Sequence, residues 1–249
     1  MTKRAIALIP ARAGSKRIAN KNVYRLCGHP LIAYTISAAI ESKVFDSVIV
    51  STDSEEYARI ARHYGAEVPF LRPEEFALDT SPDIGWVDFT LKTLAVSHLE
   101  FDYFSILRPT SPLRSAETIK RANREFLAGQ PVDSLRAIEP CAQHPAKMWT
   151  IANNRLVPIM RRQDAGVDWF SSPTQSLPEV WVQNASLEIA HVRCVTHLNS
   201  ISGDVIVPFK TEFPEGLDVN RPDDLTRLEQ LVKDSQELLP KVGAAPFKI

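Results

Sequence analysis

IALIPARAGSKRIANKN, residues 6–22, couples a short apolar run to a basic loop. Ile6 to Ile9 has no polar alternation and is bounded by Pro10, the pattern of a strand buried on both faces of a parallel sheet. The loop that follows holds Gly14 and Ser15 among four cations, Arg12, Lys16, Arg17 and Lys21. Seven Lys or Arg precede the first acidic residue, Glu41, in a chain of 249 residues whose net charge is −1, so the excess is local. A cationic, glycine-containing loop at the carboxyl end of a first strand is where an open α/β sheet binds a phosphorylated ligand. The competing reading is a basic, solvated N-terminal region with no role, and the buried strand leading straight into the cluster argues against it. Neither GxxxxGK[ST] nor GxGxxG occurs, so side chains rather than a run of backbone amides must hold the phosphates.

Strand and helix patterns alternate outward from this loop. Leu31 to Glu41 reads as a helix with Ile32, Ile36, Ala39 and Ile40 on one face. Val48–Val50 is a buried strand running into Ser51, Thr52 and Asp53. Residues 54–64 read as a helix with Glu55 and Glu56 in its first turn and Gly65 as its stop. Ile84, Val87, Leu91 and Leu94 mark a third helix that begins near Pro82. Tyr103 to Leu107 and Ser134 to Ile138 are strands, separated by a helix that Ser115 caps and that carries Ile119, Ala122 and Phe126. Successive βα units of this length predict a mainly parallel, three-layer α/β sheet of Rossmann-like type. After about residue 139 the pattern changes to a hairpin around Asn153 and Asn154 and then an irregular stretch from Arg161 to Gln175. Residues 181–190 and 205–209 return to strand-like sequence. A helix is expected over residues 222–239, and a mobile tail from Pro240. The expectation is one domain over residues 1–249, with residues 140–190 as a subregion.

Composition narrows the function classes. Hydrophobic content of 44% and charged content of 24% are those of an ordinary globular chain. The near-zero net charge argues against a general nucleic-acid binder, and no apolar run is long enough to span a bilayer. The N-terminal residues lack the apolar stretch of a secretory signal, so a cytoplasmic location is expected. Cys27, Cys141 and Cys194 are far apart and form no CxxC pair, which gives neither a zinc site nor a disulfide framework. The six histidines form no triad with a nucleophile elbow. Trp86 and Phe89 sit at helical spacing and read as packing residues.

Three blocks carry a resemblance. Ala11, Arg12, Gly14, Ser15, Lys16, Lys21 and Asn22 match a strand followed by ARxGSKxxPxKN, with Ala19 in place of Pro. LRPTSPLR, residues 107–114, resembles QPTSPLR, and LDVNRPDD, residues 217–224, resembles a DIDTPED-like motif. Together they resemble the acylneuraminate cytidylyltransferases, enzymes that activate nonulosonic acids, over about residues 5–232. The resemblance implies a CTP-dependent nucleotidyltransferase that forms a CMP-sugar and pyrophosphate. It assigns Arg12, Lys21 and Asp218 to catalysis, and Ala11, Arg12, Gly14, Ser15, Lys16, Asn22 and Asp53 to the nucleotide. Arg108, Thr110, Ser111, Lys147 and Asn184 fall to the sugar acid. Mg²⁺ is implied at Asp218 with Asn220, where the family has a pair of Asp; an Asn oxygen can ligate but brings no charge. The resemblance also implies a homodimer that uses residues 140–190.

Several of these residues have plainer readings that remain open. Asn22 could be a turn residue, Asp53 or Ser54 a helix cap, Asn220 the cap of the terminal helix, and Lys147 a solvated lysine. Arg108 stands where the family has Gln, and Val182 where it has Arg. This points to a kept nucleotide pocket and an altered acceptor pocket, with Arg108 awaiting the acceptor's carboxylate, or a phosphate in the rival reading, or else bound to a nearby acid. A sugar 1-phosphate acceptor with another base, GTP included, is one alternative function. A weakly active nucleotide-binding homologue is another.

Overall fold

The computed structural model describes residues 3–128 and 131–248. The strands and helices, in chain order, are β1 (Ala5–Pro10), β2 (Arg25–Leu26), β3 (His29–Pro30), α1 (Leu31–Ser42), β4 (Ser47–Ser51), α2 (Glu55–His63), α3 (Asp83–Val96), β5 (Tyr103–Ile106) and α4 (Ala116–Ala128). Then follow β6 (Ser134–Pro140), β7 (Trp149–Ala152), β8 (Arg155–Pro158), β9 (Trp181–His191), α5 (Val192–Leu198), β10 (Ile206–Lys210) and α6 (Pro222–Asp234). Six strands form one sheet in the order β10-β6-β9-β5-β1-β4. β1 pairs parallel with both β4 and β5, whereas β9 runs antiparallel to β5, so the sheet is mixed.

Alternation along β1 explains the layers. Ala5, Ala7 and Ile9 pack on one face against Ile32 and Ile36 of α1, Tyr57 and Ile60 of α2, and Ile119 and Phe126 of α4. Ile6 and Leu8 pack on the other against Trp86, Val87 and Leu91 of α3 and Val195 of α5. Burying both faces of one strand requires the uninterrupted apolar run read from the sequence. A smaller cluster joins Leu31 and Tyr34 of α1 to Val219 and to Leu228 and Val232 of α6. It fixes the segment around residue 218 to the start of the sheet's first helix.

Caps fall largely where the sequence places them. Ser54 Oγ accepts from the Tyr57 amide at 3.3 Å, and Ser115 Oγ from the Thr118 amide at 3.1 Å. α6 ends at Asp234, short of the expected Leu239, and a 3-10 turn over Gln236–Leu238 follows. The tail expected to be mobile is bonded to the body. Arg25 Nη2 donates to the Phe247 carbonyl at 2.6 Å, and the Phe247 amide donates to the Tyr64 hydroxyl at 3.1 Å.

The chain divides into two compact units, residues 1–137 with 184–249, and residues 138–183. The second is narrower than the subregion expected over 140–190, and β6 and β9 each begin in one unit and end in the other. Within it β7 and β8 form a hairpin whose two-residue turn, Asn153 and Asn154, has φ of 49° and 59°. Asparagine tolerates this left-handed pair, the geometry of a type I′ turn. Ile151, Leu156 and Ile159 of the hairpin region are exposed. Among the described residues no helix is long and apolar enough to cross a membrane.

Candidate active site

The carboxyl end of β1 opens into a cleft of about 370 Å³ within the first unit. Its walls bring together the three sequence blocks: Arg12, Ser15, Lys21 and Asn22 from the first loop, Arg108 and Thr110 from the second, and Asp218 and Asn220 from the third. Residues 72–86 supply most of the remaining wall, among them Arg72, Phe76, Asp79, Asp83 and Trp86. An adjoining depression adds Lys16 and Arg17 beside Arg12, Ser15 and Lys21.

The loop is shaped from its own neighbours. The Ala11 amide donates to the Ser51 carbonyl at 2.9 Å, which extends the pairing of β1 with β4 by one residue. Gly14 has φ +70°, a conformation costly for any side chain with a Cβ. Asp53 accepts from the Ala13 amide at 2.7 Å. It is not among the cleft's lining residues; it fixes the loop's backbone, and Ser54 is the cap. Asn22 is buried and donates Nδ2 to the Arg12 carbonyl at 3.1 Å, so it too closes the loop while lining the cleft.

The cations differ in setting. Lys21 donates Nζ to the Val219 carbonyl at 2.8 Å. Burial lowers its pKa, Asp218 works against that, and Arg17 and Arg12 add to the lowering. Arg12 donates Nη1 to the Ala77 carbonyl at 3.3 Å and pairs through Nη2 with Asp79. Lys16 lies 2.5 Å from the other Asp79 oxygen. These two cations hold the exposed Asp79 carboxyl below its ordinary pKa, Lys16 contributing most.

Arg108 is not the unpaired cation expected from the sequence. Its Nη2 donates to Asp83 Oδ2 at 2.6 Å and to Glu188 Oε1 at 3.0 Å. Glu188 is buried, and its second oxygen lies 2.5 Å from Arg136 Nη1. Burial alone would lower the Arg108 pKa, but Asp83 and then Glu188 raise it. The alternative of a pairing to nearby acids is the one observed. Asp83 is held in turn by Trp86, whose Nε1 donates to Oδ1 at 2.7 Å. Trp86 is therefore more than a packing residue, since it also lines the cleft and carries Arg72 over its ring at 4.6 Å. Phe89 packs as expected, against Phe70 and Phe76.

Of the other acceptor candidates, the side chains of Asn184 and Lys147 are engaged within the chain. Thr110 lines the cleft, and its carbonyl accepts from the Val219 amide at 2.8 Å, tying the second block to the third. Ser111 is fully buried beneath, its hydroxyl without a hydrogen-bond partner. Asn184 donates to Thr211 Oγ1 at 2.8 Å and accepts from the Ser186 amide at 3.1 Å; its neighbour Ala185, not Asn184, lines the cleft. Lys147 belongs to the second unit, where its Nζ donates to the carbonyls of Phe170 and Ser172 at 2.9 and 2.5 Å.

At the third block Asp218 Oδ2 accepts from Asn220 Nδ2, while Oδ1 is buried and has no hydrogen-bond partner. Such an orphaned carboxylate oxygen is costly to bury unless a cation joins it. The donor set suits Mg²⁺, which takes one or two carboxylates and completes its shell with water and substrate phosphates. Among the described residues no cluster of three or more His, Cys, Asp or Glu could hold an ion by itself. Asn220 does not cap α6. Asp224 does that work, accepting the amides of Asn220 at 2.9 Å and Arg221 at 2.8 Å.

Arg72, Asp79, Asp83 and Glu188 were not singled out from the sequence. Arg72 is buried, donates from Nε and Nη2 to Ser51 at 2.9 Å each, and burial lowers its pKa to about 10. No motif marks these residues. Their signal is tertiary, each bonding to a residue 21 or more positions away.

Residues 6–132 match the cytidylyltransferase family. The chain is 36% identical over 239 residues to a CMP-N,N'-diacetyllegionaminic acid synthase of Legionella pneumophila, covering 95% of this chain and 99% of that one. It is 44% identical over 122 residues to an N-acylneuraminate cytidylyltransferase of Escherichia coli, covering 49% of this chain and 28% of the relative. Its fold is similar to that of a CMP:2-keto-3-deoxy-manno-octonic acid synthetase complexed with CTP, with a TM-score of 0.66 at 13% identity, over 93% of this chain and 99% of the other. The chain belongs to the cytidylyltransferase family.

Proposed function

We propose that this chain joins CTP to a nonulosonic sugar acid, giving a CMP-sugar and pyrophosphate. One observation carries the reading: a single cleft gathers the basic loop, the PTSP turn and the Asp218 segment, three blocks far apart in sequence. Two similar enzymes bear the names of a legionaminic acid synthase and an N-acylneuraminate cytidylyltransferase, which supports the acceptor class. The anomeric hydroxyl of the acid attacks the α-phosphorus and gives up its proton to solvent, the new P–O bond forms, and the bond to the β-phosphate breaks with pyrophosphate leaving. Arg12 and Lys16 hold the outer phosphates, and Lys21, beside Asp218, balances charge near the reacting phosphorus. Mg²⁺ held by Asp218, with Asn220 beside it, would supply Lewis-acid stabilisation of the developing charge. A homodimer is part of the proposal, supported by the exposed apolar hairpin of the second unit, and so is a cytoplasmic location.

The test is pyrophosphate release over a grid of nucleotides and sugar acids, with product masses. CTP with a nonulosonic acid should react fastest. A preference for GTP with a sugar 1-phosphate would replace the reading. No release with any pair would leave a nucleotide-binding homologue. Arg108, paired with Asp83 and Glu188, is not a free anion site for a carboxylate or for a phosphate, so it favours neither acceptor.

A further inference from the structure

Asp79 engages two of the cations that the triphosphate reading assigns to phosphate. One carboxylate oxygen pairs with Arg12 and the other lies 2.5 Å from Lys16 Nζ, so each oxygen is taken by a different cation. A carboxylate and a phosphate offer a guanidinium the same two-oxygen edge, and an ammonium the same point of negative charge. We propose that Asp79 is an intramolecular competitor of the nucleotide's phosphates for Arg12 and Lys16, and that it thereby sets how tightly nucleotide and pyrophosphate are held. The inference deepens the triphosphate reading and rests on it.

The carboxylate is placed by the fold. Residues 73–81 are pinned on both sides of it. Upstream, the Phe76 ring packs on Phe89 at 5.7 Å between centroids and lies over Gly85, where an added Cβ would come within 2.8 Å of it. The Ala77 carbonyl accepts Arg12 Nη1 at 3.3 Å. Downstream, the Ser81 amide donates to the Leu78 carbonyl at 3.2 Å, and Ser81 Oγ to the Glu75 carbonyl at 2.7 Å. Arg12 thus has two separate tasks. Nη1 anchors it to the backbone of the 73–81 loop, and Nη2 carries the exchangeable contact. A phosphate can take over Nη2 without dislodging the side chain.

Lys21 is outside this competition, because its Nζ is turned to the Val219 carbonyl beside Asp218. The division assigns the contested pair, Arg12 and Lys16, to the outer phosphates and the uncontested Lys21 to the reacting end. Both partners of the Asp79 pairs are partly solvated, and exposed ion pairs are weak and screened by salt. Displacing Asp79 therefore weakens phosphate binding severalfold, not by orders of magnitude. When pyrophosphate forms, the same carboxylate is in place to recapture the cations, which favours release.

Asp79→Asn removes the charge and keeps the shape. Calorimetric titration with inorganic tripolyphosphate and with CTP should show about threefold to tenfold tighter binding than the native chain. The inhibition constant of pyrophosphate should fall by a similar factor. Asp79→Glu, which keeps the charge on a longer arm, should bind like the native chain, and both variants should melt within a few degrees of it. Unchanged or weaker binding by a folded Asp79→Asn would overturn the proposal, because Asp79 would then orient Arg12 for phosphate. Failure of the native chain itself to bind tripolyphosphate and CTP would remove the triphosphate reading, and the competitor with it.

Discussion

Arg108 bridges a partly exposed carboxylate on α3 and a buried one on β9. Removing one member of such a set costs more than the set contributes, because the partners stay buried without their counter-charge. Arg108→Gln should therefore lower stability by about 2 kcal/mol or more in thermal or denaturant unfolding, and adding Glu188→Gln should recover part of the loss. Full stability of the single variant would show that Arg136 and solvent suffice for Glu188. Asn220 lends itself to a different experiment. Its amide donates to Asp218, so Asn220→Asp replaces a donor with a second negative charge. That variant should melt below the native chain without Mg²⁺ and regain more on Mg²⁺ addition, by mass action on the folded state. An equal Mg²⁺ response in both would place the metal elsewhere. The sequence made the cleft's cations legible, because a strand led into them. It could not show that Asp79, Asp83 and Glu188 answer those cations, since no local pattern links Arg12 to residue 79 or Arg108 to residue 188.

Elements with a period were readable, and elements held by their surroundings were not. β1, β4 and β5 appear as apolar runs, and α1, α2, α3 and α4 as amphipathic or buried helices, because each signals its own burial. β2 and β3 are two residues each and α5 seven, too short to carry a period. The 73–81 wall owes its shape to Phe76 resting over Gly85 on α3, a contact that only the absent Cβ allows. Gly85→Ala should push Phe76 aside, cost about 1–3 kcal/mol as overpacking, and weaken CTP binding through the displaced wall. Paired melting and titration curves test both effects. If affinity holds while stability falls, the wall does not contact the nucleotide. α6 is shorter than its composition suggests, because Gln236–Leu239 continues the helical pattern while the backbone leaves the helix at Ser235.

For the molecule as a whole, the α/β class followed from alternation alone. The antiparallel β9 did not, because periodicity within a strand is silent on direction. The hairpin of the second unit leaves Ile151, Leu156 and Ile159 exposed, and an isolated hairpin is marginal without packing partners. The chain should sediment as a two-fold homodimer, and Ile151→Asp with Leu156→Asp should shift it toward monomer with loss of activity. An active monomer at all concentrations, measured by light scattering, would remove this part of the proposal.

The strand order has a consequence for how the chain is made. β4, β1 and β5 are neighbours and all emerge within the first 106 residues, so a parallel three-stranded sheet can assemble early in translation. β6 emerges next yet has no place beside β5, because that edge is reserved for β9. The whole 138–183 unit must leave the ribosome before residues 188–191 of β9 can close the gap. During that interval Phe104 and Ile106 border an open sheet edge, the kind of surface that pairs wrongly with other nascent chains. Asp218 comes later still, so the cleft gains its basic loop first and the Asp218 carboxylate last.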